Sequence, residues 1–307
     1  MCGLTLNLAH GDVPHGPASM WTRWDTEPIA TITLLLGGAI YLCGLIALWR
    51  RAGVGHGIKR WEFACAVSGW IALAVALVSP IHPLGQVLFS VHMTQHEILM
   101  LVAAPLLVLG RPMLPVLHAL PTRASQGLAR WTNTPSIAWG WRTLANPYVA
   151  WVVHFVALWA WHIPALFIAT LTSEWIHALQ HASFLGSALL FWWAVIHTRR
   201  RAEAYGMAIL YMFSTAMHSG LLGALLTFAS RPLYQPYSHT APSWGITALE
   251  DQQLGGLIMW IPAGFVYVLA GLLCVVGWLK QAERLARRQE LPGKRDAIDA
   301  GECPTSV

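Results

Sequence analysis

Residues 86–110 constrain the fold of this chain more than any other stretch. They read QVLFSVHMTQHEILMLVAAPLLVLG, which is apolar enough and long enough to cross a bilayer as a helix. His92 and His96 stand four positions apart, so their imidazoles point to the same side of that helix. The stretch predicts a transmembrane helix that carries half of a metal site. Two core histidines bonded to neighbouring helices are the alternative, and matching groups on other helices would decide between the two interpretations.

The composition places the rest of the chain in the membrane as well. Of 307 residues, 56% are hydrophobic and 11% are charged, whereas soluble domains carry about 25% charged residues. The basic residues form short clusters between apolar segments, a pattern that sets orientation in membranes rather than one that binds nucleic acid. The five cysteines form no CxxC motif, so no disulfide framework is predicted.

Seven apolar segments predict an all-α polytopic membrane protein with a single bundle of seven transmembrane helices. An outer tail would occupy residues 1–27, the seven-helix domain residues 28–279, and a disordered basic cytoplasmic tail residues 280–307. Within the domain, residues 111–146 are too polar to span and are predicted to lie in the headgroup region as one or two amphipathic helices. The predicted spans are residues 28–49, 61–79, 86–110, 147–171, 175–197, 204–229 and 254–278.

The loop charges predict the orientation of the bundle. Lys and Arg follow the first, third, fifth and seventh spans, while the loops after the other three contain only Arg231. Because cytoplasmic loops carry the excess of basic residues, the amino terminus is predicted to lie outside and the carboxyl terminus in the cytoplasm. Multi-pass insertion in the bacterial inner membrane is the predicted location.

With this orientation, histidines of four spans fall at a similar depth in the outer half of the membrane. A rise of about 1.5 Å per residue places them roughly 5 to 15 Å below the outer ends of their helices. A polar group in hydrocarbon must find a partner, and one metal ion can satisfy several ring nitrogens at once. The predicted metal site therefore comprises His92, His96, His162, His177, His181, His218 and Asp251.

Copper is the metal that this predicted ligand set favours. Imidazole suits copper, zinc, iron and nickel, and copper stands highest in the divalent affinity order. Asp251 is expected to orient an imidazole through its second ring nitrogen rather than to bind the metal directly. The cysteines form no thiolate cluster of the kind that holds an iron–sulfur centre.

An ordered set of motifs along nearly the whole chain resembles the CtaG type of cytochrome c oxidase assembly protein. The motifs are HMTQHE at 92–97, WHIP at 161–164, HALQH at 177–181, PLYQPY at 232–237, DQQLGG at 251–256 and MW before Pro262. The resemblance implies a seven-helix factor that is needed to form the copper centre of a haem-copper oxidase. Its motifs include His92, His96, His162, His177, His181 and Asp251, whereas His218 is predicted from its depth alone.

The predicted function is copper binding in the outer half of the bundle and transfer to cytochrome c oxidase. The expected partners are oxidase subunits, a periplasmic copper carrier and membrane lipid, with no enzymatic activity of the chain's own. A haem-binding membrane cytochrome, a copper transporter and a structural assembly scaffold are the alternatives. Haem would show a strong visible absorption band, and transport would need polar groups that continue to the inner face.

Overall fold

The computed structural model describes residues 24, 28–197 and 202–299, and this part of the chain contains helices and no strand. Most of the predicted outer tail (1–27), the arginines at 199–201 and the last eight residues lie outside the described residues. A π-helix, Ile98–Ala103, joins the fourth and fifth α-helices, and a 3₁₀ turn, Ala241–Trp244, follows the thirteenth. In chain order the α-helices are α1 (Pro28–Ala52), α2 (Arg60–Val78), α3 (Ile81–Gly85), α4 (Phe89–Glu97), α5 (Ala104–Gly110), α6 (Met113–Ala119), α7 (Thr122–Thr132), α8 (Pro135–Leu144), α9 (Pro147–Trp161), α10 (Pro164–Thr172), α11 (Glu174–His197), α12 (Ala202–Thr227), α13 (Tyr237–Thr240) and α14 (Ala248–Asp299).

These helices confirm the predicted all-α polytopic membrane protein. Helices α8 and α9 together are also long and apolar enough to cross a membrane, but they are bent by 68° relative to each other, so they form a seventh candidate span only if the pair is taken as one. The described chain thus holds six or seven candidate spans. The six continuous helices that are long and apolar enough to cross a membrane are Ala30–Ala52, Arg60–Val78, Phe89–Gly110, Glu174–His197, Tyr205–Thr227 and Ala248–Arg287.

The predicted fourth span, residues 147–171, is broken in the structure. Helix α9 ends at Trp161, and α10 starts at Pro164 after an extended Ile163 with φ −63° and ψ 124°. Proline lacks the N–H that would continue a helix and pushes the residue before it out of the helical region. The break therefore follows from the WHIP sequence, and it leaves His162 at the end of α9.

The span that carries His92 and His96 also changes its helical form. The backbone passes from α to π at Ile98 and returns to α at Ala104, next to Pro105. Because Pro105 cannot donate to the carbonyl four residues before it, the regular ladder is interrupted at this point. Single π segments inside α-helices often occur beside functional sites, and this one begins two residues after His96.

The predicted interfacial segment, residues 111–146, forms three short helices instead of one or two. Helix α6 packs so closely on α1 that a Cβ at Gly44 would overlap the carbonyl group of Pro115. Helices α7 and α8 expose Trp131 and Trp139. Exposed tryptophans on short amphipathic helices fit the predicted position at the membrane surface.

Helix α14 runs well beyond the predicted seventh span. It is 52 residues long and continues to Asp299, through the part of the chain for which the sequence predicts a disordered basic tail. Residues 281–290 read QAERLARRQE, all of which are good helix formers. This composition accounts for the continuation of the helix as far as residue 290.

Helices α12 and α14 form the closest long helix pair, and their contact depends on two glycines. A Cβ at Gly256 would lie 2.7 Å from the carbonyl oxygen of Gly223 and 2.5 Å from Oγ1 of Thr227. Gly264, two turns further along α14, has nothing within 4 Å of the same position. We expect Gly256→Leu to lower the free energy of unfolding by about 2 to 3 kcal/mol through overpacking. Unfolding in a detergent titration measures the loss, and an equal loss in Gly264→Leu would contradict this account.

Candidate metal centre

Helices α4 and α11 bring the two HxxxH pairs together side by side. The ring centroids lie 4.5 Å apart in the pair of His92 and His96, and 4.2 Å apart in the pair of His177 and His181. Between the helices, His92 lies 5.3 Å from His177 and His96 lies 5.4 Å from His181. The first histidine of each pair thus faces the first of the other. This register requires both helices to begin at one end of the bundle, which we call the histidine end.

Three of these imidazoles form a group with the spacing of a metal site. One ring nitrogen from each of His92, His96 and His181 lies within 4.8 Å of the other two. The three side chains are buried, with exposed fractions of 0%, 2% and 9%. Since bonds from a metal to imidazole nitrogen measure about 2.0 to 2.1 Å for zinc, small side-chain rotations would close the group around one ion. We call His92, His96 and His181 the histidine trio.

The trio contains ring nitrogens that need a partner. Both nitrogens of His96 and Nε2 of His181 are buried and make no hydrogen bond within the described part of the chain. Buried polar atoms are nearly always hydrogen-bonded, and an unpaired one destabilises the fold. The donor set therefore fits a bound cation.

The backbone fixes the orientation of His92. Its Nδ1 lies 3.2 Å from the carbonyl oxygen of Gly85, and its Nε2 lies 3.3 Å from Oε1 of Gln180. Both neighbours are carbonyl oxygens, which only accept, and a neutral imidazole carries one hydrogen, so His92 donates to one of the two at a time. Metal-binding histidines typically donate the ring N–H that does not face the metal to a carbonyl. In the tautomer with Nδ1–H bonded to Gly85, Nε2 of His92 would be the atom available for a metal.

His82 belongs to the same cluster, although the sequence places it in an outer loop above the site. Its ring stacks on His177 at 5.1 Å and lies 5.8 Å from the ring of His181. Gln95 donates through Nε2 to Nδ1 of His82 at 2.9 Å. The short helix α3 folds His82 inward until 3% of it is exposed. The absence of Lys and Arg from the Ile81-His82-Pro83 turn is the one sequence signal that this turn is not solvated.

His162 lies at the edge of the cluster rather than within the trio. Its Nδ1 is 2.6 Å from the carbonyl oxygen of Leu158, and its Nε2 is buried without a partner in the described residues. The ring of Phe184 lies 4.6 Å from that of His96 and 6.3 Å from that of His162. Phe184 therefore packs near both His162 and the trio.

The sequence that carries these motifs matches one family model. Residues 39–281 match the family model described as the cytochrome c oxidase caa3 assembly factor, Caa3_CtaG. The chain belongs to the CtaG family. This match confirms the resemblance predicted from the motifs, and all the residues of the histidine cluster lie within it.

Curated relatives of this CtaG-family chain occur in mycobacteria. Proteins of Mycobacterium bovis and Mycobacterium tuberculosis, each described as uncharacterised, are 28% identical over 302 residues, which cover 94% of this chain and 44% of theirs. A similar protein of Mycobacterium leprae is 24% identical over 287 residues, or 91% of this chain and 43% of its own. The chain thus spans less than half the length of the curated relatives that it matches. No solved structure matches it.

Two predicted site residues of this CtaG-family chain lie away from the trio. The ring of His218 packs against Trp151 at 5.5 Å and against Phe155 at 4.9 Å, between α9 and α12. Asp251 also makes no contact with a described imidazole. Its carboxylate accepts hydrogen bonds from the backbone N–H groups of Phe89 at 2.6 Å and Ser90 at 3.1 Å, and from the Ser90 hydroxyl at 2.5 Å.

Asp251 therefore acts on the helix that carries the histidines. Phe89 and Ser90 form the first turn of α4, whose N–H groups have no partner within the helix. A carboxylate at this position satisfies these donors and interacts favourably with the positive end of the helix dipole. Asp251 holds α4 in place from α14, whereas the sequence predicts that it orients an imidazole.

A loop that follows α12 covers the histidine end of the bundle. The Tyr234 hydroxyl donates to the carbonyl oxygen of His162 at 3.0 Å, and the Tyr237 hydroxyl donates to that of Gly85 at 2.9 Å. Burial, and next the nearby Asp251, raise the pKa of Tyr237 well above its usual value, so the hydroxyl stays protonated. The carbonyl oxygen of Gly85 thus lies against both the Tyr237 hydroxyl and Nδ1 of His92, which connects the loop to the candidate site.

Proposed function

We propose that this protein binds copper at the histidine trio and assists the metallation of the copper centre of cytochrome c oxidase in the bacterial inner membrane. The observation that carries the proposal is the convergence of three buried ring nitrogens within 4.8 Å of one another. Membership of a family of oxidase assembly factors supplies the process in which such a site would act. The family assignment also favours a non-catalytic role.

The chemistry of the donors supports copper as the cargo. Among the divalent first-row metals, copper is the one that imidazole nitrogens bind most tightly. The methionines that could add a soft ligand point elsewhere, since Met93 packs towards Gly255 and Met217 is 58% exposed. The proposed site is therefore made of histidines alone, with His82 and His177 beside the trio.

The packing of the rings favours an ion over haem. The imidazoles of His92, His96, His177 and His181 contact one another directly, at centroid distances of 4.2 to 6.3 Å. A haem with axial histidines needs its macrocycle between two rings that face each other across it. The cluster offers space for an ion at its centre rather than for a macrocycle.

His154 does not extend the histidine cluster towards the other face of the bundle. Its Nδ1 lies 3.1 Å from the Ser187 hydroxyl, and its ring lies 5.0 Å from that of Phe191. His154 is thus held within an aromatic core. Transfer of copper by ligand exchange at the histidine end, from a periplasmic carrier to an oxidase subunit, fits this arrangement.

Copper content with an optical spectrum tests the proposal. We expect near-stoichiometric copper in detergent-purified protein that has been loaded with Cu(I) or Cu(II) and desalted. The double variant His92→Ala/His96→Ala should retain background copper only, because it loses two of the three ligands. Absence of copper from the parent in both oxidation states would overturn the copper site and favour a scaffold. A haem absorption band would assign the protein to the cytochromes instead.

A further inference from the structure

A long apolar groove crosses the surface of the bundle between α1, α2, α5 and α11. It encloses a cavity of about 1040 Å³, slightly above the range of about 300 to 1,000 Å³ typical of ligand pockets. Ten of its lining residues are leucines, which come from α1, α2, α5, α6, α11 and the π-helix. Representative lining residues are Leu34, Leu73, Leu107 and Leu185.

The groove runs along most of one transmembrane helix. It follows α11 from Ala178 to His197, a distance of about 28 Å at 1.5 Å per residue. The hydrocarbon core of a bilayer is about 30 Å thick, and half of a bilayer with its headgroups measures roughly 20 to 22 Å. A lipid of one leaflet would therefore occupy the larger part of the groove, from one end of it.

The end of the groove that lies away from the histidine end carries a positive charge. Among the described lining residues, Arg111 is the one with a permanent charge. It follows α5 in a left-handed conformation, with φ 49° and ψ 51°, and 51% of its side chain is exposed. Arg111 forms one ion pair, in which its Nη1 lies 3.5 Å from Oε1 of Glu62. Most of its five N–H donors therefore remain for another acceptor.

The surroundings of Arg111 resemble a headgroup site. Trp141 and Trp193 line the groove near this end and pack edge to face at 5.7 Å, as tryptophans do at the membrane interface. Lys59 and Arg60 stand at the start of α2, close in sequence to Glu62, the partner of Arg111. Basic pockets between transmembrane helices bind anionic lipid headgroups.

We propose that this groove is a binding site for one anionic glycerophospholipid. Its acyl chains would pack on the leucines between α1 and α11, and its phosphate would accept hydrogen bonds from Arg111. His181 lines the opposite part of the groove, so the lipid would fill the space between Arg111 and the histidine cluster. The proposal does not depend on copper, because every residue that it uses for binding lies outside the trio.

Gly186 and Gly264 provide a matched pair of variants for the test. Gly186 lines the groove, and a Cβ there would meet nothing within 4 Å, so Gly186→Phe fills the groove without a clash at its first atom. Gly264, on α14 and outside the groove lining, has the same open space around it. Delipidated, metal-free protein is mixed with phosphatidylglycerol or phosphatidylcholine and examined by native mass spectrometry. Circular dichroism verifies that each variant retains its helices.

We expect the parent and Gly264→Phe to retain one phosphatidylglycerol per chain, and Gly186→Phe to bind it at least tenfold more weakly. Arg111→Gln should weaken binding of phosphatidylglycerol about fivefold and leave phosphatidylcholine unchanged. Arg123→Gln, an exposed arginine outside the groove lining, is the control for charge. Equal lipid binding by Gly186→Phe and the parent would overturn the site. Co-purification of a quinone or a polypeptide that Gly186→Phe alone loses would assign the groove to that occupant instead.

Discussion

Replacing His181 with alanine is expected to weaken copper binding by at least about 100-fold. Loss of a residue that merely orients a metal ligand costs about 10- to 100-fold in affinity, so loss of a ligand should cost no less. His181 is the member of the trio that α11 supplies, and its Nε2 has no partner in the described structure. Without it, His92 and His96 would hold the ion from one helix only. Competition with a chromophoric copper chelator measures the affinity.

His218→Ala provides the matched control for this result. His218 is also a histidine of a candidate span, and both of its ring nitrogens are buried without a partner among the described residues. Its ring packs on Trp151 and Phe155 rather than on the trio. The variant should therefore keep the copper affinity of the parent within about twofold, well below the effect of losing a ligand or an orienting residue. Equal losses in the two variants would contradict a site centred on the trio.

Asp251→Ala is expected to lower the free energy of unfolding by about 3 to 5 kcal/mol. The change removes the acceptor of three hydrogen bonds at the start of α4 and leaves the buried donors of Phe89 and Ser90 unpaired. Because α4 carries His92 and His96, copper affinity should also fall, by about tenfold. Denaturant titration in detergent and the chelator competition measure the two effects.

Two further variants distinguish positioning from a general loss of stability. Glu250→Ala removes the neighbouring exposed acid, which caps its own helix through Thr247. It removes an exposed partner of Thr247 only, so it should lower the free energy of unfolding far less than Asp251→Ala and leave copper binding unchanged. Asp251→Asn keeps one acceptor oxygen and should restore part of both the stability and the copper affinity. A copper affinity that does not change in Asp251→Ala would show that the carboxylate serves stability alone.

The sequence by itself determined the class of fold and the two histidine pairs. Apolar segments of about 20 residues predict membrane helices because an α-helix satisfies its own backbone hydrogen bonds in hydrocarbon and crosses the bilayer at that length. The spacing of four residues puts His92 above His96, and His177 above His181, since an α-helix repeats every 3.6 residues. Pro164 likewise marks the break after His162. Each of these conclusions depends on one segment at a time.

Only the tertiary structure decided which of these groups meet. Spacing along a helix gives the depth of a side chain but not the direction in which it faces across the bundle. That direction depends on how whole helices pack, as α12 does on α14 through Gly223 and Gly256. It turns His218 towards Trp151 and brings Asp251 to the start of α4. The position of His82 also depended on the tertiary structure. The short helix α3 carries its ring against His177 and His181, which lie about 100 residues later in the sequence.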